Sequence, residues 1–394
     1  MRPSLVIVAD RHIWHADSAF GALPGFRVDL RLVEHDGITN RLVRDADILL
    51  VRSSTRVDGA LLDGSRVRFV ATATIGDDHI DRALLAARGI AFASAAGSST
   101  GSVVEYMTAA LLHLEHHHGV RLDGAVLGVV GVGRIGTQVA RRAEGLGMRV
   151  LANDPPRALR GDDGFDWQPL PVLLEQADLL TLHTPLVRDG AHPTLHLIDE
   201  AALARFSGRV VLNAARGAVV DNAALLGWLE QDDTRLAVLD CWEGEPAVSR
   251  ALLAHPQVVV ATPHIAGHSL DGKAANTQFV YDALCRFLGI EGGWRMEREL
   301  PPVAPIPWRC GGGDARAELA CMVERLYPIG RDVDACRDLL RLEEPEAFAR
   351  GFIRLRRHYP VRRAWHLQRL VAPDANSRLR RLATAAGLVL EREG

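Results

Sequence analysis

The stretch AVLGVVGVGRIGTQVARRAEGLGMRVLANDPP, residues 125–156, decides the fold. It begins with the apolar run AVLGVV, continues through a glycine-rich turn and an amphipathic segment, and ends with a second apolar run that closes on Asp154. This order predicts a strand, a tight turn, a helix and a second strand. Gly131, Gly133 and Gly136 fall at the junction between the first strand and the helix. The stretch therefore predicts a βαβ unit, the building block of a parallel sheet.

The three glycines have the spacing of a phosphate-binding turn. In such a turn Gly131 makes the tight bend, Gly133 lets backbone N–H groups approach a pyrophosphate, and Gly136 allows close packing of helix on strand. Arg134 and Ile135 lie between the last two glycines, at the helix N-terminus, where the helix dipole favours phosphate. We therefore predict that these residues contact a dinucleotide.

The end of the second strand indicates which dinucleotide binds. Asp154 lies where a carboxylate accepts hydrogen bonds from the adenosine ribose hydroxyls. No arginine immediately follows it to bind the 2′-phosphate of NADP, although Arg157 is near enough in sequence to leave that alternative open. NAD is the predicted cofactor.

Similar apolar runs recur along the chain, with gaps long enough to hold helices. They cover residues 5–9, 47–51, 68–74, 125–130, 149–154, 179–184, 209–214, 236–240 and 258–263. Continuous apolar strands that alternate with helices predict an α/β fold, in which parallel sheets are covered on both faces. We expect two doubly wound sheets, one before residue 95 and one across residues 125–264.

Two further features divide the chain into domains. Residues 98–118 begin with Ser and Thr and carry apolar residues at helical spacing, which predicts a helix that joins two domains. After Gly289 the sequence becomes Pro- and Gly-rich and then Arg-dense and amphipathic. We predict three domains, formed by residues 1–96 with 266–289, residues 97–265, and residues 290–394.

Composition excludes several classes of protein. The chain has 394 residues, a formal net charge of −3 and 48% hydrophobic residues, which predicts a globular protein without a nucleic-acid groove. Its five cysteines are scattered and form no CxxC pair, so neither a disulfide framework nor a zinc site is indicated. The N-terminus lacks signal-peptide features, and no stretch has transmembrane length. We expect a cytoplasmic protein with no nucleic-acid or membrane partner.

The histidine-rich stretch HLEHHH, residues 113–118, is the remaining candidate for a metal site. We interpret it as the polar end of the predicted helix, with Gly119 as a stop, because no further carboxylate or cysteine is evident nearby as a partner. No metal site is predicted.

Polar residues follow successive strands of the second predicted sheet. Arg216 follows VVLNAA, Glu245 follows LAVLDCWEG and His264 follows VVVATP, so all lie where open α/β sheets place ligands. Oxidation of a hydroxy acid requires a base, a carboxylate that supports the base and a cation for the substrate carboxylate. These three are the predicted catalytic residues. Asp240 closes its own strand and is a predicted acceptor for the nicotinamide carboxamide.

Several motifs resemble a known family. NAARGAVVD (213–221), LDCWEGEP (239–246) and TPHIAG (262–267), together with the glycine turn, resemble the D-2-hydroxyacid dehydrogenases. The resemblance implies a flavodoxin-like substrate domain and a Rossmann NAD domain. It also implies His264 as the acid/base, Glu245 as its hydrogen-bonded partner and Arg216 as the guanidinium that pairs with the substrate carboxylate.

Longer motifs are similar to one branch of this family. They include DPPR (154–157), HIAGHSLDGK (264–273), ERLYPIGRDVDACRDLL (324–340) and RLRRHYPVRRAW (354–365). This resemblance implies NAD-dependent oxidation of 4-phospho-D-erythronate at C2 in pyridoxal 5′-phosphate biosynthesis. It further implies that residues 290–394 are an α+β dimerisation domain, so that the protein is a homodimer.

The same resemblance implies roles for residues outside the catalytic set. Ser53, Thr74 and His268 would contact substrate, while Thr184, Gly267 and Asp240 would contact NAD. His268 departs from the branch, which usually has a tyrosine at this position as a substrate ligand; a histidine still donates a hydrogen bond but titrates near neutral pH.

One lysine, Lys273, stands in a chain that otherwise uses arginine. Either a compact ammonium is needed, for example near the substrate phosphate with Arg52 as a second cation, or the lysine has survived by chance. Two other functions also remain open. The chain could be another D-2-hydroxyacid dehydrogenase, such as one acting on 3-phosphoglycerate, or a non-catalytic NAD-sensing scaffold of the same fold.

Overall fold

The structure, a computed structural model, describes residues 2–161 and 164–392. The strands are β1 (Ser4–Asp10), β2 (Arg27–Val33), β3 (Ile48–Val51), β4 (Phe69–Thr72), β5 (Ala91–Ser94), β6 (Val126–Val130), β7 (Arg149–Asn153), β8 (Leu179–Leu182), β9 (Val210–Asn213), β10 (Leu236–Leu239), β11 (Val258–Ala261), β12 (Ile306–Pro307), β13 (Arg369–Val371) and β14 (Val389–Glu391). The α-helices are α1 (Ala16–Phe20), α2 (Asn40–Val43), α3 (Arg82–Ala87), α4 (Thr100–His118), α5 (Arg134–Gly145), α6 (Pro155–Ala158), α7 (Leu170–Gln176), α8 (Glu200–Arg205), α9 (Asn222–Glu230), α10 (Arg250–Ala254), α11 (Leu270–Leu288), α12 (Ala315–Leu326), α13 (Ile329–Arg337), α14 (Pro345–Arg357) and α15 (Ser377–Ala386).

The chain forms two compact units. The first comprises residues up to Thr100 together with Ser269–Pro302, and the second comprises Gly101–His268 together with the residues from Val303 onward. The predicted division into three domains stays a prediction, because the residues that follow Val303 pack on the same hydrophobic core as α4 and β6.

The first unit contains a parallel sheet in the order β2-β1-β3-β4-β5. This is the flavodoxin-like order, so the predicted fold of this part is confirmed. Strands β2 and β5, which lie at the two edges of the sheet, are not predicted by the sequence. Edge strands are only half covered, and β2 accordingly carries charged residues between its apolar ones, so neither has the continuous apolar run of a central strand.

The second unit contains a parallel sheet in the order β11-β10-β9-β8-β6-β7. A parallel bridge between Ala152 and Trp167 extends it beyond β7. With that bridge in place of a third strand, the order from the bridge to β10 is that of the Rossmann fold, and β11 adds a further strand at the opposite edge. The predicted strands of this sheet are confirmed, and so is the predicted helix of residues 98–118, which is α4.

The residues after Val303 add a small parallel sheet in the order β12-β13-β14. Helix α15 connects β13 to β14 and packs on α12, while α13 packs on β11 of the Rossmann sheet. The Arg337 guanidinium at the end of α13 donates to the carbonyl oxygens of His255 and Val258. The C-terminal segment thus covers β11, the edge strand of the sheet. His264 follows the carboxyl end of this strand.

Among residues 2–161 and 164–392, we find no helix with both the length and the apolar character that crossing a membrane requires.

Candidate active site

His264 and Glu245 form a hydrogen-bonded pair beyond the carboxyl ends of β10 and β11. His264 Nδ1 lies 2.8 Å from Glu245 Oε2, and Glu245 Oε1 accepts a hydrogen bond from the Trp242 N–H at 2.7 Å. The carboxylate is therefore fixed at both oxygens. Because it accepts the Nδ1 proton, the lone pair of the neutral imidazole lies on Nε2, and no residue in the described ranges bonds to that atom. Nε2 is the atom that can take a proton.

The carboxyl group of Glu245 is poised to stay ionised. Burial raises its pKa, but the charge of His264, the hydrogen bond from His264 and the Trp242 N–H together bring the pKa below its usual value. An ionised Glu245 stabilises a protonated imidazole when His264 accepts a proton. The pair thus has the arrangement of a general base with its supporting acid.

The backbone of His264 is strained, with φ of 57°. A non-glycine residue in this left-handed region costs about 1–3 kcal/mol and persists only where its surroundings hold it there. Here the His264 N–H donates to the Asp240 carbonyl, and the Asp240 carboxylate accepts from the N–H groups of Ile265 and Ala266. Asp240, which is buried, therefore fixes the turn that presents the imidazole.

Thr262 and Tyr106 extend this anchor. The Thr262 hydroxyl donates to Asp240 Oδ1 at 2.7 Å and, since its proton is used there, accepts from the Tyr106 hydroxyl at 2.8 Å. The Trp242 indole N–H donates to the Thr262 carbonyl at 2.8 Å. Sequence reasoning missed these three residues. The motifs TPHIAG and LDCWEGEP contain two of them, but their spacing does not reveal which side chains point inward.

Arg216 approaches the same place from β9. A Cβ atom on the next residue, Gly217, would overlap the Trp242 backbone, so only glycine lets this turn pack against the segment that leads to Glu245. Burial raises the pKa of the Cys241 thiol well above its usual value, the charges of Asp240 and Glu245 raise it further, and Arg216 opposes them. The charges of Arg216 and Glu245 therefore both lie close enough to Cys241 to affect its pKa. The three predicted catalytic residues lie at one edge of the sheet.

The glycine turn has the geometry that a pyrophosphate requires. Gly131 has φ of 84°, and a Cβ atom there would lie 2.8 Å from the Thr184 backbone nitrogen. A Cβ atom at Gly136 would overlap the Gly131 carbonyl oxygen, whereas the space in front of Gly133 is open to 4 Å. Arg134 and Ile135 begin α5 directly after Gly133. The turn is therefore closely packed at Gly131 and Gly136 and open at Gly133, as phosphate binding requires.

Thr184 is the second feature that fits a dinucleotide. Its side-chain oxygen is buried, and no hydrogen-bond partner for it is found among the residues that the structure describes. The residue lies against Gly131, where a Cβ atom would come within 2.8 Å of its side chain and backbone nitrogen. A buried hydroxyl without a partner is costly, so a ligand group at this position would satisfy it. The residues present thus fit the cofactor that the sequence predicts.

Asp154 supports the glycine turn from β7. Its Oδ2 accepts from the Val132 N–H at 3.0 Å and its Oδ1 from the Arg157 N–H at 3.1 Å. Each carboxylate oxygen has a further lone pair, so both remain able to accept from ribose hydroxyls. The Arg157 guanidinium, which left NADP open as an alternative, donates to the Val132 carbonyl and the Thr137 hydroxyl and lies over the Phe165 and Trp167 rings.

Ser53 and Thr74 lie at the carboxyl edge of the first unit's sheet. They follow the neighbouring strands β3 and β4, in which Val51 pairs with Thr72. Ser53 is exposed. The Thr74 hydroxyl donates to the Gly76 carbonyl at 2.9 Å and therefore accepts from the Thr72 hydroxyl at 2.7 Å, which leaves one lone pair able to accept.

Lys273 lies in the first turn of α11 and is half-buried. Burial lowers its pKa to about 8, and the positive charge of Arg52 contributes to the shift. Across residues 2–161 and 164–392, no hydrogen bond or ion pair engages the Lys273 ammonium. Two cations therefore approach each other in the first unit, which is the arrangement an anion would stabilise.

His268 and Gly267 end the loop that begins at His264, and both are half-buried. The His268 ring lies against Tyr359, with ring centroids 6.1 Å apart, and the His268 carbonyl accepts from Arg362. Arg362 also donates to the Ser102 carbonyl of α4 and lies 4.1 Å over the Tyr327 ring. Sequence reasoning missed this role, because Arg362 is distant in the chain and lies in a segment interpreted as a dimerisation domain.

Comparison with known proteins agrees with this geometry. Residues 100–266 match the model of the D-isomer specific 2-hydroxyacid dehydrogenase, NAD binding domain. The chain is 44% identical over 360 residues to an erythronate-4-phosphate dehydrogenase of Sodalis glossinidius, covering 91% of this chain and 92% of that protein. It is 45% identical over 390 residues to an enzyme of the same name from Azotobacter vinelandii, covering 97% and 98%.

Solved structures show the same fold. A D-lactate dehydrogenase of Aquifex aeolicus, complexed with NAD and lactic acid, has a TM-score of 0.62 at 22% identity over 72% of this chain and 95% of that one. An NADPH-dependent glyoxylate/hydroxypyruvate reductase of Sinorhizobium meliloti has a TM-score of 0.60 at 26% identity over 73% and 94%. The resemblance stated from the motifs is confirmed: the chain belongs to the erythronate-4-phosphate dehydrogenases, a branch of the D-isomer specific 2-hydroxyacid dehydrogenase family.

Proposed function

We propose that the chain catalyses the NAD-dependent oxidation of 4-phospho-D-erythronate to (R)-3-hydroxy-2-oxo-4-phosphooxybutanoate, a step of pyridoxal 5′-phosphate biosynthesis. The observation that carries the proposal is the contact of 2.8 Å between His264 Nδ1 and Glu245 Oε2, which leaves Nε2 as a base. The substrate comes from the name of relatives that match almost the whole chain.

In the proposed reaction the C2 hydroxyl and the C2–H bond of the substrate are converted to a carbonyl. His264 Nε2 takes the hydroxyl proton, and Glu245 stabilises the resulting imidazolium through the Nδ1 hydrogen bond. The Arg216 guanidinium pairs with the substrate carboxylate and polarises the C2 oxygen. NAD, when bound, accepts the hydride from C2.

We further propose how the chain holds NAD. The turn from Gly131 to Gly136 binds the pyrophosphate, and Asp154 accepts from the adenosine ribose. Thr184 and Gly267 complete these contacts, with Asp240 as an acceptor for the carboxamide. Two observations favour NAD over NADP: a 2′-phosphate would face the Asp154 carboxylate, and the Arg157 guanidinium is engaged by Val132 and Thr137.

For the substrate phosphate we propose Lys273 and Arg52. Burial lowers the pKa of Lys273 most, repulsion from Arg52 lowers it further, and a phosphate dianion would relieve that repulsion. Ser53, Thr74 and His268 are the proposed further contacts with the substrate. This assigns the single lysine a function that arginine would perform with a different geometry.

The phosphate proposal predicts a pH dependence of substrate binding. Lys273 has a pKa of about 8, so its charge is present below that pH and is lost above it. We expect the dissociation constant of 4-phospho-D-erythronate, measured by calorimetry without NAD, to increase as the pH rises from about 7 to 9. The substrate phosphate keeps its charge in this range, because its second pKa is about 6.

Lys273→Arg is the matched control for that experiment, since arginine stays charged across the range. We expect the increase in dissociation constant to disappear in this variant. An identical pH dependence in the two proteins would show that Lys273 does not bind the phosphate.

Substrate identity is tested directly by NADH formation with 4-phospho-D-erythronate and 3-phosphoglycerate side by side. We expect turnover with the first and a much lower kcat/KM with the second. Preference for 3-phosphoglycerate would favour the alternative dehydrogenase. No NADH from either substrate, with NAD binding intact, would favour the scaffold, although the ordered His264–Glu245 pair argues against it.

We also propose a cytoplasmic homodimer that assembles through residues 290–394. Two of the exposed large apolar side chains, Ile353 and Leu367, lie in this segment, on and after α14. Light scattering on the purified protein should give twice the chain mass, and Ile353→Asp should shift the population toward monomer. A wild-type protein that is monomeric at micromolar concentration would contradict this assembly.

A further inference from the structure

The C-terminal end of α4 carries a cluster that the sequence could not reveal. One nitrogen of His113, one nitrogen of His117 and one carboxylate oxygen of Glu324 all lie within 4.8 Å of one another. His113 and His117 are one helical turn apart on α4 and so project from the same face. Glu324 lies on α12, and its Oε1 contacts His117 Nε2 directly. The carboxylate that was missing near HLEHHH in sequence is thus supplied from the C-terminal segment.

Packing holds the two helices in this arrangement. The apolar faces of α4 and α12 belong to one hydrophobic core, which includes Leu114 and Val323 next to the cluster. The Arg316 guanidinium of α12 binds Glu115 of α4, with Nε at 2.9 Å and 3.0 Å from the two carboxylate oxygens. The cluster therefore does not depend on the His117–Glu324 contact for its assembly.

The cluster also shows an unsatisfied atom. His113 Nδ1 is buried, and among the described residues no hydrogen-bond partner for it is found. His117 and Glu324 are partly exposed, with 43% and 36% of their side chains accessible, so an ion can reach the cluster from solvent. A buried imidazole without a partner at one of its nitrogens, beside two ligand side chains that solvent can reach, is what a metal site with an entry path requires.

We propose that His113, His117 and Glu324 bind a divalent transition-metal ion, with Zn²⁺ as the best match. Two imidazoles and a carboxylate are ligands that Zn²⁺ accepts, and water would complete a tetrahedron. With metal–ligand bonds of about 2.1 Å, tetrahedral ligand atoms lie about 3.4 Å apart. The three ligand atoms now lie within 4.8 Å of one another, so side-chain rotations that move each atom by about 1 Å would bring them to this distance. The ion would fasten α12 to α4 and so attach the C-terminal segment to the Rossmann unit's core.

The test uses tag-free full-length protein treated with EDTA, because a polyhistidine tag would itself bind the metal. Zn²⁺ is titrated by calorimetry, and the melting temperature is measured with and without it. We expect binding of one ion at this site and a higher melting temperature. In His117→Ala and in Glu324→Gln the dissociation constant should rise by more than about tenfold, the effect that even an outer partner of a metal site has.

His116→Ala is the matched control, because His116 is exposed on the same helix but outside the cluster. It should bind Zn²⁺ as the wild type does. Cys241, Glu245 and His264 form a second set of possible ligands, so each variant is also compared in the His264→Asn background. Equal binding in wild type, His117→Ala and Glu324→Gln would overturn the proposal, as would equal losses in His116→Ala or no binding in any protein.

Discussion

Replacing His264 by asparagine is expected to lower kcat for the oxidation of 4-phospho-D-erythronate by about 10²–10⁴-fold, the usual contribution of a general base. Asparagine is chosen because it tolerates the left-handed backbone conformation that His264 adopts, with φ of 57°. The turn from Thr262 to Gly267 should therefore keep its shape, held by the Asp240 carboxylate. The loss then reports the missing base rather than a distorted loop.

Steady-state rates of NADH formation, with the NAD dissociation constant measured alongside, check this result. NAD affinity should change little, because Nε2 is assigned to the substrate proton. A second variant, Glu245→Gln, separates the two members of the pair: it should also lower kcat, since a neutral amide stabilises the imidazolium far less than a carboxylate. If His264→Asn retained turnover within about tenfold of wild type, another residue would have to be the base.

Replacing Arg216 by lysine is expected to reduce kcat/KM by about 10²–10³-fold, the loss found when one preorganised donor to a developing charge is removed. Lysine keeps the positive charge but loses the planar fork that binds a carboxylate through two parallel hydrogen bonds. Gly217, which holds the turn against the Trp242 backbone, is unchanged in this variant. We therefore expect the folded structure to be retained, while KM rises and kcat falls.

Arg205→Lys is the matched control, because Arg205 is an exposed residue of the same unit that pairs with Glu175 on the surface. Its kcat/KM should be that of wild type, since exposed ion pairs contribute little. Circular dichroism of both variants shows whether folding is intact. An Arg216→Lys enzyme with wild-type KM and kcat would remove Arg216 from the proposed catalytic set.

The sequence predicted the fully buried strands well and the two partly buried strands β2 and β5 poorly. The run AVLGVV forms β6, which lies in the interior of a sheet, so it is apolar throughout and stands out. The run VVVATP forms β11, which lies at an edge but is fully buried because α13 packs on it, so it is apolar as well. Strand β2 lies at an edge and mixes Arg27, Asp29 and Arg31 with apolar residues, while β5 is half-buried along its length. Neither differs enough from a loop for a pattern of apolar residues to identify it.

The same contrast holds for the candidate active site. The placement of Arg216, Glu245 and His264 was predictable because the ends of parallel strands meet at one edge, so position after a strand implies proximity. The residues that hold them were not. The Thr262 hydroxyl donates to Asp240, and Trp242 donates its backbone N–H to Glu245 and its indole N–H to the Thr262 carbonyl. Nothing in the spacing of these residues shows that their polar atoms are used.

By itself, then, the sequence determined the α/β fold, the dinucleotide turn and the residues at the strand ends, because each depends on short-range periodicity or on motifs of a few residues. Only the tertiary structure decided which distant residues meet. Arg362 reaches the His268 carbonyl, Glu324 reaches His117 across 207 residues, and Lys273 comes near Arg52. The physical reason is that such contacts follow from how helices and sheets pack on shared cores, and packing brings together residues whose separation along the chain carries no signal.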